Sequence, residues 1–121
     1  MGGGIRGVAR VSFGAKGAIM FNKEAVGLME LKAGDKLSFC QDEDEPDNWY
    51  FFKDKEHGFE LRGNKANGCC FNHLLLIQAF LEAKEQPAGQ TLKALIAGQP
   101  TVMKNDKAAT RYWGVLVRAS A

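Results

Sequence analysis

Two stretches of this 121-residue chain repeat the same residues at the same spacing, and this repeat constrains the fold more than any single motif does. In each stretch a Leu-x-Ala-Gly segment is followed, fifteen residues after its glycine, by a tryptophan. The segments are residues 31–34, before Trp49, and residues 95–98, before Trp113. A duplicated unit predicts a pseudo-symmetric fold with two equivalent surfaces.

A Phe-Asn pair also occurs once in each half, and each copy follows a glycine and runs into an apolar stretch with helical spacing. The copies are Phe21 with Asn22 and Phe71 with Asn72. Because asparagine is a preferred N-cap residue, both asparagines are predicted to begin a helix.

Hydrophobic periodicity divides each half into short strands around a helix. In the first half it predicts strands at residues 8–13, 18–21, 36–41 and 49–53, with a helix after Asn22. In the second half it predicts strands at 59–62 and 69–71 and a closing hairpin of 101–104 with 111–118. The helix after Asn72 has a predicted apolar stripe, and a second short helix is predicted at 91–97. The stripe is Leu75, Leu76, Ala79, Phe80 and Ala83.

The predicted fold class is α+β. A single unit leaves open strand edges that must be paired, and two units that close on each other remove those edges. We therefore expect a small mixed β-barrel of about eight strands, built from two pseudo-symmetric strand-strand-helix-strand-strand units, with extra helices in the second unit. The whole chain, residues 1–121, forms one domain, with units at 8–53 and 58–118.

Composition indicates an ordinary globular protein. The chain is 45% apolar and 25% charged, with a net charge of +2, and its longest apolar run is too short to cross a bilayer. The three cysteines show neither Cys-x-x-Cys spacing nor a histidine pair, which is typical of buried thiols in a reducing cytoplasm rather than a zinc site. A cytoplasmic protein without a cofactor or metal is expected.

Residues 17–25, 31–35 and 37–39 together resemble the AbrB/MazE/SpoVT swapped-hairpin family. In that family a Gly-x-Ile-x-Ile-Pro-Lys-Glu opening leads through a short helix to Leu-Gly-Ile-Lys-x-Gly-Asp-x-Leu. Members build barrels from two copies of the unit, usually as dimers, and bind DNA as transcription regulators or antitoxins. The resemblance covers about a third of the chain and implies that one polypeptide here forms the barrel that relatives form by dimerising.

The chain departs from the family pattern at functional positions. Asn22 replaces the family proline, and either residue can begin a helix. The arginines that relatives use on DNA lie in the first strand, after the glycine and in the helix. This chain has small or apolar residues there, namely Val11 or Ser12, Ala18, and Val26 or Gly27. The resemblance therefore implies the scaffold more strongly than the DNA contacts.

If the barrel forms, its strand-to-strand loops bring together a set of polar and basic residues predicted to bind DNA. The set is Arg10, Lys16 and Lys23 from the first unit and Arg62, Asn64, Lys65 and His73 from the second. Lys23 and His73 directly follow the two asparagine caps, so helix N-termini would reinforce them as phosphate contacts. Asn64 would reach base edges. The alternative is that these are solvated surface charges.

No Ser-His-Asp or Cys-His spacing supports catalysis, so a non-enzymatic, AbrB-like transcription regulator is the leading interpretation. One alternative is a non-catalytic protein-interaction module, in which the acidic loop from Asp42 to Asp47 meets a basic partner. Another is a single-stranded nucleic-acid binder that stacks bases on exposed aromatic side chains. The aromatic residues are Trp49, Tyr50, Phe51, Phe52, Tyr112 and Trp113. Either a monomer or a homodimer is compatible with the sequence.

Overall fold

The computed structural model describes residues 8–63, 68–86, 91–102 and 110–117, and these ranges contain nine strands and two helices. The elements of the first half are β1 (Arg10–Phe13), β2 (Ala18–Phe21), α1 (Lys23–Met29), β3 (Lys36–Gln41) and β4 (Trp49–Lys53). Those of the second half are β5 (Phe59–Glu60), β6 (Arg62–Gly63), β7 (Cys69–Asn72), α2 (Leu74–Ala83), β8 (Leu92–Ile96) and β9 (Trp113–Leu116). Neither helix is long and apolar enough to cross a membrane.

The strands form a nearly closed, barrel-like sheet in the order β5-β3-β4-β9-β8-β1-β2-β7-β6. Every strand pairing among the described residues is antiparallel. The two ends of this order, β5 and β6, are consecutive in the chain and are separated by the buried residue Leu61. The chain therefore joins the two edges of the sheet, and the prediction of an α+β barrel is confirmed.

The β1–β2 hairpin shows how local sequence sets this geometry. Val11 and Phe13 point into the barrel and pair across the strands with Phe21 and Ile19, all of them fully or almost fully buried. Gly17 ends the turn with φ of +108°, a conformation that glycine adopts without a side-chain clash. The chain then enters α1 through Asn22, whose side chain caps the helix as predicted.

Aromatic rings fill the core. Phe13, Phe39 and Phe51 lie with their ring centroids 4.3–6.3 Å apart. Phe80 brings α2 onto this cluster, with its ring 4.5 Å from that of Phe13 and 5.3 Å from that of Trp49. The ring of Phe80 therefore connects the second helix directly to the aromatic core of the barrel.

Residues 91–97 correct the sequence prediction, because the predicted helix there is wrong. This segment forms β8, in which Ala94 and Ile96 are buried while Lys93 between Leu92 and Ala94 is exposed. That alternation is the period of a strand, and β8 pairs along its length with β1. The described residues thus contain two helices, and no extra helix is seen in the second unit.

The predicted closing hairpin is also partly wrong. Residues 113–116 form β9, as expected. Among the described residues, the two strands that pair with β9 are β4 and β8, and residues 101–102 do not form a strand beside it. Thr101 forms an isolated bridge with Tyr112, and residues 103–109 lie outside the described ranges.

The start and the buried face of α2 differ from the prediction. His73, not Asn72, is the N-cap, and its Nδ1 accepts a hydrogen bond from the Leu76 N–H at 3.1 Å. Asn72 is the last residue of β7. The buried stripe is Ile77, Phe80 and Leu81, while Leu75, predicted to be buried, is 72% exposed and Ala79 and Ala83 are also exposed. Residues 77, 80 and 81 are related by the i, i+3 and i+4 spacing of one helix face, so a different stripe from the predicted one packs on the barrel.

Only part of the sequence repeat lies at comparable positions in the structure. Trp49 and Trp113 are both buried and lie on the adjacent strands β4 and β9. The Leu-x-Ala-Gly segments are not equivalent, because residues 31–34 connect α1 to β3 and residues 95–98 end β8. That part of the similarity does not correspond to a shared structural position.

Candidate nucleic-acid interface

Five neighbouring strands, β8, β1, β2, β7 and β6, form a continuous outer surface that curves around the barrel, and their outward side chains include cations and no acidic residue. The cations of this face are Lys93 in β8, Arg10 in β1 and Arg62 in β6, all exposed. The other residues of this face are Leu95, Ser12, Ala18, Met20, Cys70 and Asn72. Because β8, β1, β2 and β7 bury their alternate residues in the core, and Arg62 in β6 follows the buried Leu61, this polar and basic set is fixed by strand register. We call it the basic face.

A groove of about 780 Å³ lies on one side of the basic face. Ser12, Met20 and Leu95 line it together with the charged residues. Those charged residues are Arg10, Lys23, Lys93 and Glu24. Three positive groups against one negative group make the groove locally basic in a chain whose net charge is only +2.

The side chain of Asn22 holds two sides of this groove together. Its Oδ1 accepts hydrogen bonds from the N–H of Arg10 at 3.0 Å and from the N–H of Ala25, in α1, at 2.9 Å. Its Nδ2 donates to the carbonyl oxygen of Val8 at 2.8 Å. One asparagine therefore caps α1 and fixes the start of β1, which sets the relative positions of Arg10 and Lys23.

The structure brings together only some of the predicted site residues. Arg10 and Lys23 both line the groove, but Lys16 lies in the β1–β2 turn at the other end of the hairpin, roughly 10 Å away along the strand. There the N–H of His73 donates to the carbonyl of Gly17, so Lys16 is next to the start of α2.

The remaining predicted residues fall in three classes. Arg62 lies on the basic face, in β6. His73 caps α2 through Nδ1, so that nitrogen does not donate to a ligand. Asn64 and Lys65 lie outside the described residues. The prediction that these residues occupy strand-to-strand loops is therefore wrong for Arg10, Lys23, Arg62 and His73, which lie in or at the start of regular elements.

Sequence reasoning missed Lys93. The sequence predicts a helix over residues 91–97, and a helix there gives no reason to connect Lys93 with Arg10. The strand alternation of Leu92, Ala94 and Ile96 was the available signal, since it predicts an outward lysine between inward apolar residues.

The aromatic side chains do not form an open stacking platform. Trp49, Tyr50, Phe51 and Trp113 are buried. Phe52 and Tyr112 are half-buried and contact each other, with ring centroids 4.9 Å apart. Base stacking requires exposed ring faces, so this geometry weakens the interpretation as a single-strand binder.

The acidic loop connects β3 and β4 and is partly organised by its own side chains. Asp42 accepts hydrogen bonds from the N–H groups of Asp44 and Glu45, and Glu45 accepts one from the side chain of Asn48. In the described ranges no group of three His, Cys, Asp or Glu side chains is arranged to hold a metal ion.

Two thiols are kept protonated at neutral pH. Burial, reinforced by the nearby carboxylate of Asp42, raises the pKa of Cys40. Burial also raises the pKa of Cys69, with smaller contributions from Cys70 and Asp35. A protonated thiol is a poor nucleophile and a poor metal ligand.

Comparison with known proteins gave no match. No family model fits the chain, and neither a curated protein nor a solved structure resembles it significantly.

Proposed function

We propose that this protein binds duplex DNA through the basic face, as a regulator-like protein of the AbrB type. The observation that carries the proposal is the outward-facing set on five adjacent strands, which includes Arg10, Arg62 and Lys93 and no acidic residue. Lysine and arginine on an exposed surface bind phosphates and release counterions, which supplies most of the affinity for DNA. Five of the fourteen acidic residues lie together elsewhere, in the loop from Asp42 to Asp47.

We further propose that the barrel consists of two units related by a pseudo-twofold axis. The strand pairings support this. In the exchange β5 and β6 together correspond to β1, while β7, β8 and β9 correspond to β2, β3 and β4. Every pairing is then converted into an observed pairing: β1–β2 into β6–β7, β3–β4 into β8–β9 and β1–β8 into β5–β3, while β2–β7 and β4–β9 are unchanged. The two helices then occupy equivalent places.

The pairing registers support the same axis. Phe21 and Phe71 are 50 positions apart in the repeat, and Met20 and Cys70, also 50 positions apart, face each other across β2 and β7. Trp49 and Trp113 are 64 positions apart, and the cross-strand pair of Tyr50 and Gly114 has the same separation. A residue that faces its own repeat counterpart lies on the axis.

This axis bears on the function because it passes through the middle of the basic face, at Met20 and Cys70. Arg10 and Lys93 lie on one side of it and Arg62 on the other. Duplex DNA has local twofold axes of its own, and proteins with twofold symmetry align with them.

The proposal is tested by titrating labelled duplex DNA with the full chain across a series of salt concentrations. With three or four phosphates contacted, log K is expected to fall against log salt with a slope of about −3. Replacing both Arg10 and Lys93 with Ala should weaken binding and make the slope shallower. The matched control replaces Lys32 and Lys55, which are exposed outside the basic face, and should change neither. A wild-type slope near −1, or equal effects of the two double variants, would refute the proposal.

A second candidate function is a protein-interaction module that binds a basic partner through the acidic loop. It is favoured by the exposed side chains of Glu43, Asp44 and Asp47, whose carboxylates form no hydrogen bond or ion pair with the described residues. Such a module would bind neither duplex nor single-stranded DNA in the same salt series. The single-strand alternative would instead give tighter binding to a single strand than to a duplex.

A further inference from the structure

A row of five cross-strand residues runs around the barrel along the basic face, at right angles to its strands. Lys93 pairs with Ser12, Ser12 with Met20, Met20 with Cys70, and Cys70 with Arg62. The row therefore begins and ends with a cation and has uncharged side chains between them. Directly cross-strand residues on one face have neighbouring side chains.

The row follows the curvature of the barrel. Its ends lie four strand spacings apart in a barrel-like sheet of nine strands, so Lys93 and Arg62 lie on different sides of the barrel. Lys93 instead shares a groove with Arg10 and Lys23, which line it together.

Met20, the central residue of the row, is 44% exposed although its side chain is apolar. It also lines the groove, together with Lys93 and Lys23. In the major groove the C5-methyl group of thymine is the apolar group that a protein can contact, and a thioether side chain is flexible enough to fit against it.

We propose that Met20 is a specificity-determining residue that contacts thymine methyl groups in the major groove, while Lys93 and Lys23, which line the same groove of the protein, contact the adjacent phosphates. This inference rests on the proposed binding of duplex DNA. Ser12, beside Met20 in the row, has a hydroxyl that can donate to or accept from base edges. Met20 contributes to discrimination between base pairs, whereas the two cations contribute to affinity for any sequence.

The test compares two duplexes with the same charge and the same pairing: an alternating dA·dT duplex and an alternating dA·dU duplex, which lacks the thymine methyl groups. The wild-type chain should bind the thymine duplex more tightly, by about fourfold for each methyl group that Met20 covers. Met20→Ala should bind both duplexes with nearly equal affinity and with an unchanged salt slope. Leu75→Ala, which removes an exposed apolar side chain from α2, is the control and should keep the thymine preference.

The outcomes separate this inference from the function on which it rests. If the wild-type chain binds neither duplex, DNA binding itself is refuted. If it binds both equally, DNA binding stands and the methyl contact is refuted. A thymine preference that survives in Met20→Ala also overturns the role of Met20, and circular dichroism of that variant establishes whether it is folded.

Discussion

Replacing Asn22 with Ala is expected to destabilise the protein and to disorganise the groove, because one side chain makes three hydrogen bonds there. Loss of an asparagine N-cap typically costs about 1 kcal/mol. The bonds to the N–H of Arg10 and the carbonyl of Val8 are at exposed positions, so each should contribute about 0.5 kcal/mol, the low end for a hydrogen bond. Together these losses lower the free energy of unfolding by roughly 2 kcal/mol.

The chain supplies a matched control in Asn72, the repeat counterpart of Asn22. Asn72 is exposed, ends β7 and makes no side-chain hydrogen bond among the described residues, so Asn72→Ala should change the free energy of unfolding by less than about 0.5 kcal/mol. Urea denaturation followed by circular dichroism measures both variants. If the two substitutions destabilise the protein equally, the positioning role of Asn22 is refuted.

A second substitution separates stability from binding. Asn22→Asp keeps the acceptor oxygen for the N–H groups of Arg10 and Ala25 and loses only the donor to Val8. It also adds a negative charge beside Arg10 and Lys23. We therefore expect Asn22→Asp to retain most of the stability that Asn22→Ala loses, while weakening duplex binding. Unchanged duplex affinity in a folded Asn22→Asp variant would argue against phosphate contacts in the groove.

Three further predictions concern the scaffold. Phe80→Ala should lower the free energy of unfolding by about 3–5 kcal/mol because the ring is fully buried. Leu75→Ala on the same helix should have little effect, because that side chain is exposed. Urea denaturation measures both variants, and similar losses of stability would contradict the packing of α2. The pKa of Asp54 is lowered chiefly by the N–H of His57 and then by the hydroxyl of Ser38, so its stabilisation is present above its unfolded value of about 3.9 and lost as pH falls. Asp54→Asn should therefore show a weaker loss of stability below about pH 4 than the wild type does, and an identical acid profile would count against this reading. Gly58→Ala should strongly destabilise the barrel, measured as a lower melting temperature, because the added Cβ would lie 2.5 Å from the Asp54 carbonyl oxygen; a neutral effect would disprove this close approach.

The sequence was most informative where local chemistry decides the structure. The strand at residues 18–21, the cap at Asn22 and the strands at 36–41 and 49–53 agree with the prediction because alternation and capping are local signals. Residues 92–96 were assigned wrongly because Leu-Lys-Ala-Leu-Ile has the apolar content of either a short helix or a strand. Pairing with β1 decides the outcome, and that partner lies about 80 positions earlier in the chain.

The candidate site was harder to predict than the fold for the same reason. Arg10 and Lys23 are close in the sequence and share a groove, so a local reading found both. Lys93 and Arg62 join the basic face only through strand register, which depends on contacts between distant segments. His73 was assigned to phosphate binding because it follows an asparagine, but the helix begins one residue later than expected and uses its ring as the cap.

The break between β5 and β6 at Leu61 gives the barrel a seam. β1 is held by four residue pairs with β8 and three with β2, whereas β5 is held by two pairs with β3 and β6 by two with β7. Between them Leu61 adds one backbone hydrogen bond to Gly34 and one to Asp35. Amide hydrogen exchange should therefore be faster in β5 and β6 than in β1. When this seam opens, it uncovers two strand edges at once, so self-association of the folded chain should begin there.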